Sequence, residues 1–340
     1  MPVCLDRDPT GRRAVPFHSS AANCIHIGLV NNMPDAALQA TERQFLSLLH
    51  AAAGDIEVRL WFYALPDVPR SDSARRHVDS LYSSIGDLWN SHLDGLIVTG
   101  TEPRAPNLMD EPYWGSLIRV VEWARYNTHS TVLSCLSAHA ALLHLDGIGR
   151  LRLSDKCFGL FECTRASDDQ LMAGAPSRFP MPQSRWNDIP ESQLTGCGYR
   201  ILTRATNAGA DTFVKRSNSL LVFFQGHPEY EANTLLLEYR RDVRRYLRRE
   251  RDTYPAPPRG YLDADTADRL AVFRNRAVCD RREELLADFP MARAEGRIEN
   301  TWRPAAACIY GNWLAYLCAE KERRLRRGKS QRVCSRAGSS

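Results

Sequence analysis

The stretch TVLSCLSAHAAL, residues 131–142, joins a short apolar run to a segment rich in small residues. Val132 and Leu133 are typical of a buried strand, and the residues from Leu136 onward are typical of a helix. Cys135 therefore lies at a sharp strand-to-helix turn, where α/β hydrolases expose a nucleophile and use the next backbone N–H in an oxyanion hole. The pattern predicts a nucleophilic thiol, with Leu136 as the oxyanion donor. A buried structural cysteine is the alternative, because the usual glycines of this turn are absent.

Short apolar runs alternate with amphipathic segments on the N-terminal side of this turn. The predicted strands are Cys24–Val30, Ile56–Tyr63, Gly95–Val98 and Thr131–Leu133, and the predicted helices are Ala37–Ala53, Ser73–Ser84 and Trp114–Asn127. Such alternation predicts an α/β fold with a doubly wound, mostly parallel sheet. Ligands bind such sheets at the carboxyl ends of the strands, so residues 100–106 and 134–137 become candidate site loops.

The C-terminal half has a different pattern. Its predicted strands are Cys157–Thr164, Tyr199–Ala205, Thr212–Lys215 and Ser219–Gln225, and its predicted helices are Ala232–Arg251 and Ala305–Arg324. We expect these strands to extend the same sheet. The predicted organisation is a polar leader (1–22), a single α/β domain (23–325) and a basic, disordered tail (326–340).

Composition excludes several classes of protein. The 340 residues are 44% hydrophobic and 25% charged, as in ordinary folded proteins. The net charge of +5 is concentrated in arginine runs at 240–251 and 323–336, which are not interleaved with aromatic residues. These runs favour solvated helix faces over a nucleic-acid site. No apolar stretch approaches the ~18 residues of a membrane span, and the polar start is unlike a signal peptide.

The cysteines indicate neither a zinc site nor a disulfide framework. Ten cysteines are spread singly along the chain, without a CxxC pair or a Cys/His spacing typical of metal ligands. We expect reduced thiols in the cytoplasm and no bound metal or cofactor.

A second stretch, LVFFQGHPEY at 221–230, carries an apolar strand into a loop with His227 and Glu229. A histidine can accept the proton of a thiol or hydroxyl, and a carboxylate can hold the imidazole in the required tautomer. Across a parallel sheet from the Cys135 turn, these residues form a candidate Cys/His/Glu catalytic set.

Together, these stretches resemble the class I glutamine amidotransferase-like fold, and in particular the homoserine O-succinyltransferase family of methionine biosynthesis. The resemblance runs from about Ile25 to about Leu317. Its further markers are LVNNMP at 29–34, ATERQFL at 40–46, GLIVTG at 95–100, PYW at 112–114, EYRRDV at 238–243, WR at 302–303 and NWL at 312–314. It implies an acyl-CoA co-substrate and small-molecule substrates, and it makes a homodimer the expected assembly.

The resemblance also implies a ping-pong reaction. Cys135 attacks the thioester of an acyl-CoA and becomes acylated, and coenzyme A leaves. His227, supported by Glu229, then deprotonates the hydroxyl of L-homoserine, which takes the acyl group.

Three more residues match family positions that contact substrate: Lys156, Ser184 and Arg241. A guanidinium such as Arg241 suits the carboxylate of an amino acid. Without the family, Arg241 would be interpreted as one more surface charge on a basic helix.

Two residues depart from the family pattern. Leu136 replaces a tryptophan that is common after the nucleophile. Arg104 stands where the family has a small residue with a succinyl donor or an acidic one with an acetyl donor. A cation there could pair with a succinyl carboxylate, which favours the succinyl donor.

Several alternatives stay open at this point. L-serine differs from homoserine by one methylene, a difference that a pocket discriminates by only ~1–3 kcal/mol. Three further hypotheses are an acetyl donor, a glutamine amidotransferase-like amidase and a non-catalytic binding protein. The amidase is disfavoured because the strand-to-helix turn at Cys135 lacks the glycines that those enzymes have there. The binding protein is disfavoured because Cys135, His227 and Glu229 are all present.

Overall fold

A computed structural model describes residues 3–5, 23–291 and 296–337, with side chains as far as 327. The strands are β1 (Val3–Leu5), β2 (Cys24–Val30), β3 (Glu57–Tyr63), β4 (Gly95–Val98), β5 (Ser130–Ser134), β6 (Leu151–Arg165), β7 (Arg178–Asp188), β8 (Arg200–Ala205), β9 (Gly209–Arg216) and β10 (Leu220–Phe224). The helices are α1 (Asp35–Ala52), α2 (Asp72–Leu81), α3 (Ile85–Leu88), α4 (Trp114–Asn127), α5 (Leu136–Asp146), α6 (Glu191–Gly196), α7 (Thr234–Leu247), α8 (Ala264–Cys279) and α9 (Arg303–Ala337). Short 3₁₀ helices cover Leu108–Asp110, Gln170–Met172 and Glu283–Asp288.

The strands form one ten-stranded sheet in the order β1-β3-β2-β4-β5-β10-β9-β8-β6-β7. The strands from β1 to β10 in this order pair in parallel, and the remaining pairs are antiparallel. Strands β3-β2-β4-β5-β10 have the 2-1-3-4-5 order of a flavodoxin-like doubly wound sheet. The fold class predicted from the sequence is confirmed.

Helices cover both faces of the parallel half, which explains why β2, β4 and β10 are mostly apolar and buried along their whole length. On one face, α1 and α9 pack on β2 through residues such as Phe45 and Trp313. On the other, α4 and α5 pack on β4 and β5 through residues such as Val120 and Leu142. The carboxyl ends of β4, β5 and β10 remain available for a site.

The antiparallel half contains a strand that the sequence analysis missed. Strand β7 carries Pro180 and Pro182, which lack the N–H needed for a central strand. In the fold β7 is an edge strand and pairs only with β6 among the described strands, so the prolines are tolerated there.

The ends of the chain also differ from expectation. Val3–Leu5, within the predicted leader, pairs with β3, whereas residues 6–22 lie outside the described part. Helix α9 begins at Arg303 and continues to Ala337, beyond the predicted end at Arg324 and into the segment expected to be disordered. Helix α8 was not predicted. It packs with α7 and Trp302 in a third apolar cluster beside the sheet.

Candidate active site

Cys135 lies between the end of β5 and the start of α5 in a strained conformation. Its φ of 53° and ψ of −111° are unusual for a residue other than glycine. The backbone N–H of Cys135 donates to the Phe224 carbonyl at 2.7 Å, so the turn is tied to the end of the neighbouring strand β10. This is the strand-to-helix turn expected of a nucleophile, and holding it costs about 1–3 kcal/mol.

His227 follows β10 and reaches the same edge of the sheet. Its N–H donates to the Pro182 carbonyl of β7 at 2.9 Å, and its Nδ1 lies 2.8 Å from Oε1 of Glu229. Both side chains are buried. Gly226 precedes His227 at a position where a Cβ would lie 2.5 Å from the carboxylate of Asp211, so only glycine fits there.

Cys135 and Glu229 both raise the pKa of the His227 imidazole. Burial by itself lowers the pKa of His227, but the charge of Glu229 and hydrogen bonds with Cys135 and Glu229 raise it well above the ordinary value. The arrangement therefore stabilises an imidazolium between a thiol group and a carboxylate, which suits covalent catalysis by cysteine.

Leu136 and Gly100 approach each other closely beside Cys135. A Cβ on Gly100 would lie 2.9 Å from the Leu136 nitrogen and 3.0 Å from its Cβ. Leu136 is the first residue of α5, so its N–H has no acceptor within the helix. The N–H of Leu136 is thus available to an oxyanion beside the Cys135 thiol.

The three predicted substrate-contact residues converge on two carboxylates of α7. Lys156 Nζ lies 3.3 Å from both Glu238 Oε2 and Asp242 Oδ2. Ser184 Oγ donates to Glu238 Oε2 at 2.6 Å, and Arg241 Nη2 lies 3.0 Å from Asp242 Oδ1 and 3.6 Å from Glu238. Burial raises the pKa of Glu238, but the charges of Lys156 and Arg241 and the Ser184 hydrogen bond lower it to about 2. The cluster thus contains fixed charges of both signs.

Tyr230 links this cluster to His227. Its ring stacks on His227 with centroids 4.2 Å apart, and its hydroxyl donates to Glu238 Oε1 at 2.5 Å. Sequence reasoning assigned no role to Tyr230, Glu238 or Asp242. The sequence contains a pattern that indicates this cluster, because Glu238, Arg241 and Asp242 have helical spacing and lie on one face of α7.

Arg104 lies apart from that cluster, on the loop after β4. Its side chain is exposed, while its backbone N–H and that of Ala105 donate to Glu111 Oε1 at 2.5 and 2.6 Å. The same loop is joined to α7 by Glu102 and Arg245, whose two hydrogen bonds measure 2.8 and 3.0 Å. The loop thus lies between the Cys135 turn and α7.

His139, one turn after Cys135, donates a hydrogen bond from Nε2 to Gln225 Oε1 at 2.9 Å. Burial lowers the pKa of His139 to about 4, so the ring is neutral at pH 7. Within residues 3–5, 23–291 and 296–337, no group of three or more His, Cys, Asp or Glu side chains is arranged to hold a metal ion. The same ranges contain no helix that is both long and apolar enough to cross a membrane.

The structure is a flavodoxin-like doubly wound sheet that carries, at the carboxyl edge of its parallel strands, a cysteine in a strained turn and a buried His–Glu pair. The family model for homoserine O-succinyltransferase (HTS) matches residues 16–324. The chain belongs to the homoserine O-succinyltransferase family, and it is a transferase.

Two relatives illustrate the similarity. The homoserine O-succinyltransferase of Rhodopseudomonas palustris is 50% identical over 306 residues, which cover 90% of this chain and 92% of that protein. The homoserine O-succinyltransferase of Methylorubrum extorquens is 46% identical over 291 residues, 86% of each chain. Among solved structures, a glutamine amidotransferase from Thermotoga maritima has a TM-score of 0.49 at 8% identity, covering 86% of this chain and 98% of that one.

Proposed function

We propose that this protein transfers a succinyl group from succinyl-CoA to the hydroxyl of L-homoserine through a thioester on Cys135, in methionine biosynthesis. The observation that carries the proposal is the set of Cys135, His227 and Glu229 beside a buried cluster of mixed charge on α7. Family membership supports the substrates, because the relatives are named for this reaction.

In the first half-reaction, His227 takes the proton of the Cys135 thiol, and the sulfur attacks the thioester carbonyl. The S–C bond to coenzyme A breaks, and His227 supplies the proton to the leaving thiolate. The N–H of Leu136 stabilises the oxyanion that forms on the way, together with backbone groups of the Gly100 loop. Glu229 stabilises the imidazolium and holds the ring in place.

In the second half-reaction, neutral His227 takes the hydroxyl proton of the acceptor, and the oxygen attacks the carbonyl of the acyl-enzyme. The S–C bond to Cys135 breaks, and His227 returns the proton to the Cys135 sulfur. An amino-acid acceptor carries one positive and one negative group, and the cluster on α7 offers a partner for each. Glu238 suits the ammonium, and Arg241 and Lys156 suit the carboxylate. Ser184 and Tyr230 hold the Glu238 carboxylate in position by hydrogen bonds.

The first experiment is intact-mass measurement after mixing the protein with succinyl-CoA or acetyl-CoA in the absence of acceptor, beside Cys135→Ala. We expect an adduct of one succinyl group that the control lacks and that L-homoserine discharges as O-succinylhomoserine. Discharge by L-serine instead would identify L-serine as the acceptor. An adduct that forms with acetyl-CoA alone would identify acetyl-CoA as the donor. A folded protein that forms no adduct with either donor would contradict the proposal and favour an amidase or a binding protein.

Assembly and compartment stay predictions. Analytical ultracentrifugation of the purified chain tests whether it forms the homodimer expected from the family resemblance. The cytoplasm expected from the sequence is measured by cell fractionation.

A further inference from the structure

A cavity of about 690 Å³ opens between the loop after β4 and the helix α5 that follows Cys135. Three arginines line it: Arg104 from the loop, and Arg150 and Arg152 from the start of the antiparallel half. His139 and Leu143 of α5 form its opposite wall. The family resemblance assigned a role only to Arg104.

The guanidinium groups in this cavity have unused hydrogen-bonding capacity. Arg150 Nη1 is buried and has no hydrogen-bond partner, and its Nη2 makes one long contact of 3.4 Å with the Pro106 carbonyl. A buried N–H group without a partner is costly unless a ligand pairs with it. The guanidinium carbon Cζ of Arg152 lies over the Trp186 ring, 4.5 Å from its centroid, and this contact helps to hold the guanidinium group at the cavity.

The positive charge of the cavity is only partly balanced. Among the ion pairs of the described residues, none involves Arg104, Arg150 or Arg152, whereas the nearby Arg185 pairs with Asp188 at 2.8 Å. The carboxylate of Glu111 is close enough to act on the charge of Arg150; its Oε1 accepts hydrogen bonds from the loop amides, and its Oε2 is buried without a hydrogen-bond partner. One carboxylate against three guanidinium groups leaves the cavity with an excess of positive charge.

The cavity is within reach of a donor that reacts at Cys135. His139 is four residues after Cys135 and Leu143 is eight residues after it, which places the wall about 6 to 12 Å along the helix from the nucleophile. Arg150 is also near enough for the charge of Cys135 to act on it. A thioester held at the Cys135 sulfur can therefore direct either of its two ends toward the arginines.

We infer that Arg150 and Arg152, with Arg104, bind an acidic group of the acyl donor in this cavity. The inference rests on the proposed function and names the part of the donor that the site recognises. The chemistry is charge-assisted pairing of guanidinium groups with oxyanions. The acidic group has two possible sources in succinyl-CoA, the succinyl carboxylate and the phosphates of coenzyme A.

The test measures ligand dissociation constants by calorimetry on the full-length Cys135→Ala protein, which cannot be acylated. The ligands are succinyl-CoA, coenzyme A and S-succinyl-N-acetylcysteamine, which keeps the succinyl group but has no phosphates. The variants are Arg150→Gln and Arg152→Gln, each added to Cys135→Ala. The matched control is Arg119→Gln, because the exposed Arg119 also lies over a tryptophan ring, 5.1 Å from the centroid of Trp89, on the outside of α4.

We expect both test variants to weaken succinyl-CoA binding about tenfold and the control to change it less than about twofold. If the arginines bind the phosphates, the binding of coenzyme A weakens equally, and the binding of the cysteamine thioester does not change. If the arginines bind the succinyl carboxylate, only the binding of the two succinyl ligands weakens. Equal dissociation constants in parent and variants, or the same loss in the control, would overturn the inference.

Failure of the proposed function gives a different result. A parent protein that binds none of the three ligands, and whose Cys135 form gains no adduct, would contradict both proposals. A Cys135 form that is acylated while the arginine variants bind the donors normally would contradict this inference alone. Because Arg150 is half-buried, the unfolding midpoint of its variant is measured, and the exposed Arg152 provides the second variant if Arg150→Gln does not fold.

Discussion

Cys135 and His227 each occupy a position that the surrounding backbone determines. The positive φ of Cys135 is held by its hydrogen bond to Phe224, and His227 is held by its hydrogen bond to Pro182. Glu229 then orients the ring through Nδ1. One carboxylate oxygen of Glu229 is buried without a hydrogen-bond partner, so much of its negative charge is available to the imidazole.

The charge of Glu229 makes a testable contribution to the pH dependence. In the proposed second half-reaction the thiol is acylated, and neutral His227 must accept the hydroxyl proton, so the rate rises with pH through the pKa of His227. Glu229 raises that pKa. We therefore expect Glu229→Gln to shift the rising limb to lower pH and to reduce the rate about 100-fold or more, because the imidazolium loses its counter-charge.

The measurement is the pH profile of acyl-enzyme discharge by L-homoserine. Glu231→Gln is the control, since this carboxylate lies in the same loop but is not bonded to the imidazole. A limb that stays in place in Glu229→Gln would show that Glu229 does not set the pKa of the base.

At the scale of elements, the site depends on how closely the loop after β4 approaches the start of α5. Gly100 allows this approach, since a side chain there would meet the backbone nitrogen of Leu136. Helix α7 contributes the carboxylates of Glu238 and Asp242, and Glu238 is connected to the His227 ring through Tyr230. Three elements from distant parts of the chain are therefore needed to form one site.

We expect Gly100→Ala to displace the Leu136 N–H and to lower kcat about 100-fold, the usual effect of losing one oxyanion donor. The control is Gly115→Ala in α4, where an added Cβ meets no atom within 4 Å. The measurement is steady-state kinetics of O-succinylhomoserine formation. Normal kcat in a Gly100→Ala protein of unchanged unfolding midpoint would remove Leu136 from the proposed mechanism.

At the scale of the whole molecule, α9 connects the end of the chain to the central strands. Trp313 is almost fully buried, and its Nε1 donates to Ser130 Oγ of β5 at 2.9 Å. Gly95 of β4 lies under the same ring, where a Cβ would be 3.0 Å from it. The NWL motif at 312–314, which looked like a family marker in the sequence, has this structural role.

We expect Trp313→Ala to lower the free energy of unfolding by about 3–5 kcal/mol, through the cavity left behind and the lost hydrogen bond. The measurement is equilibrium unfolding in urea. Trp123→Ala is the control, because Trp123 is half-buried on α4 and its loss should cost less. Equal losses in the two variants would contradict a central role for α9 in the fold.

Local sequence was informative wherever one short segment contained the whole signal. Strands β2, β3, β4, β5 and β10 were predicted because a strand buried on both faces is mostly apolar, as Cys24–Val30 is, whereas the three-residue β1 was not predicted. Cys135, His227 and Glu229 were predicted because each lies in the turn or loop that follows such a strand. Strand β7 was missed because its prolines are compatible only with an edge, and a sequence does not state which strand is at the edge.

The sequence by itself therefore determined the sheet class, the catalytic candidates and the family. Only the tertiary structure decided what surrounds them: Glu238 is a partner of Lys156, 82 residues away, and Arg150 and Arg152 line a cavity beside Arg104. The physical reason is that burial along a strand leaves a local pattern of residue types. Pairing between charges brought together by separate strands and helices depends on distances, and these exist only after the chain has folded.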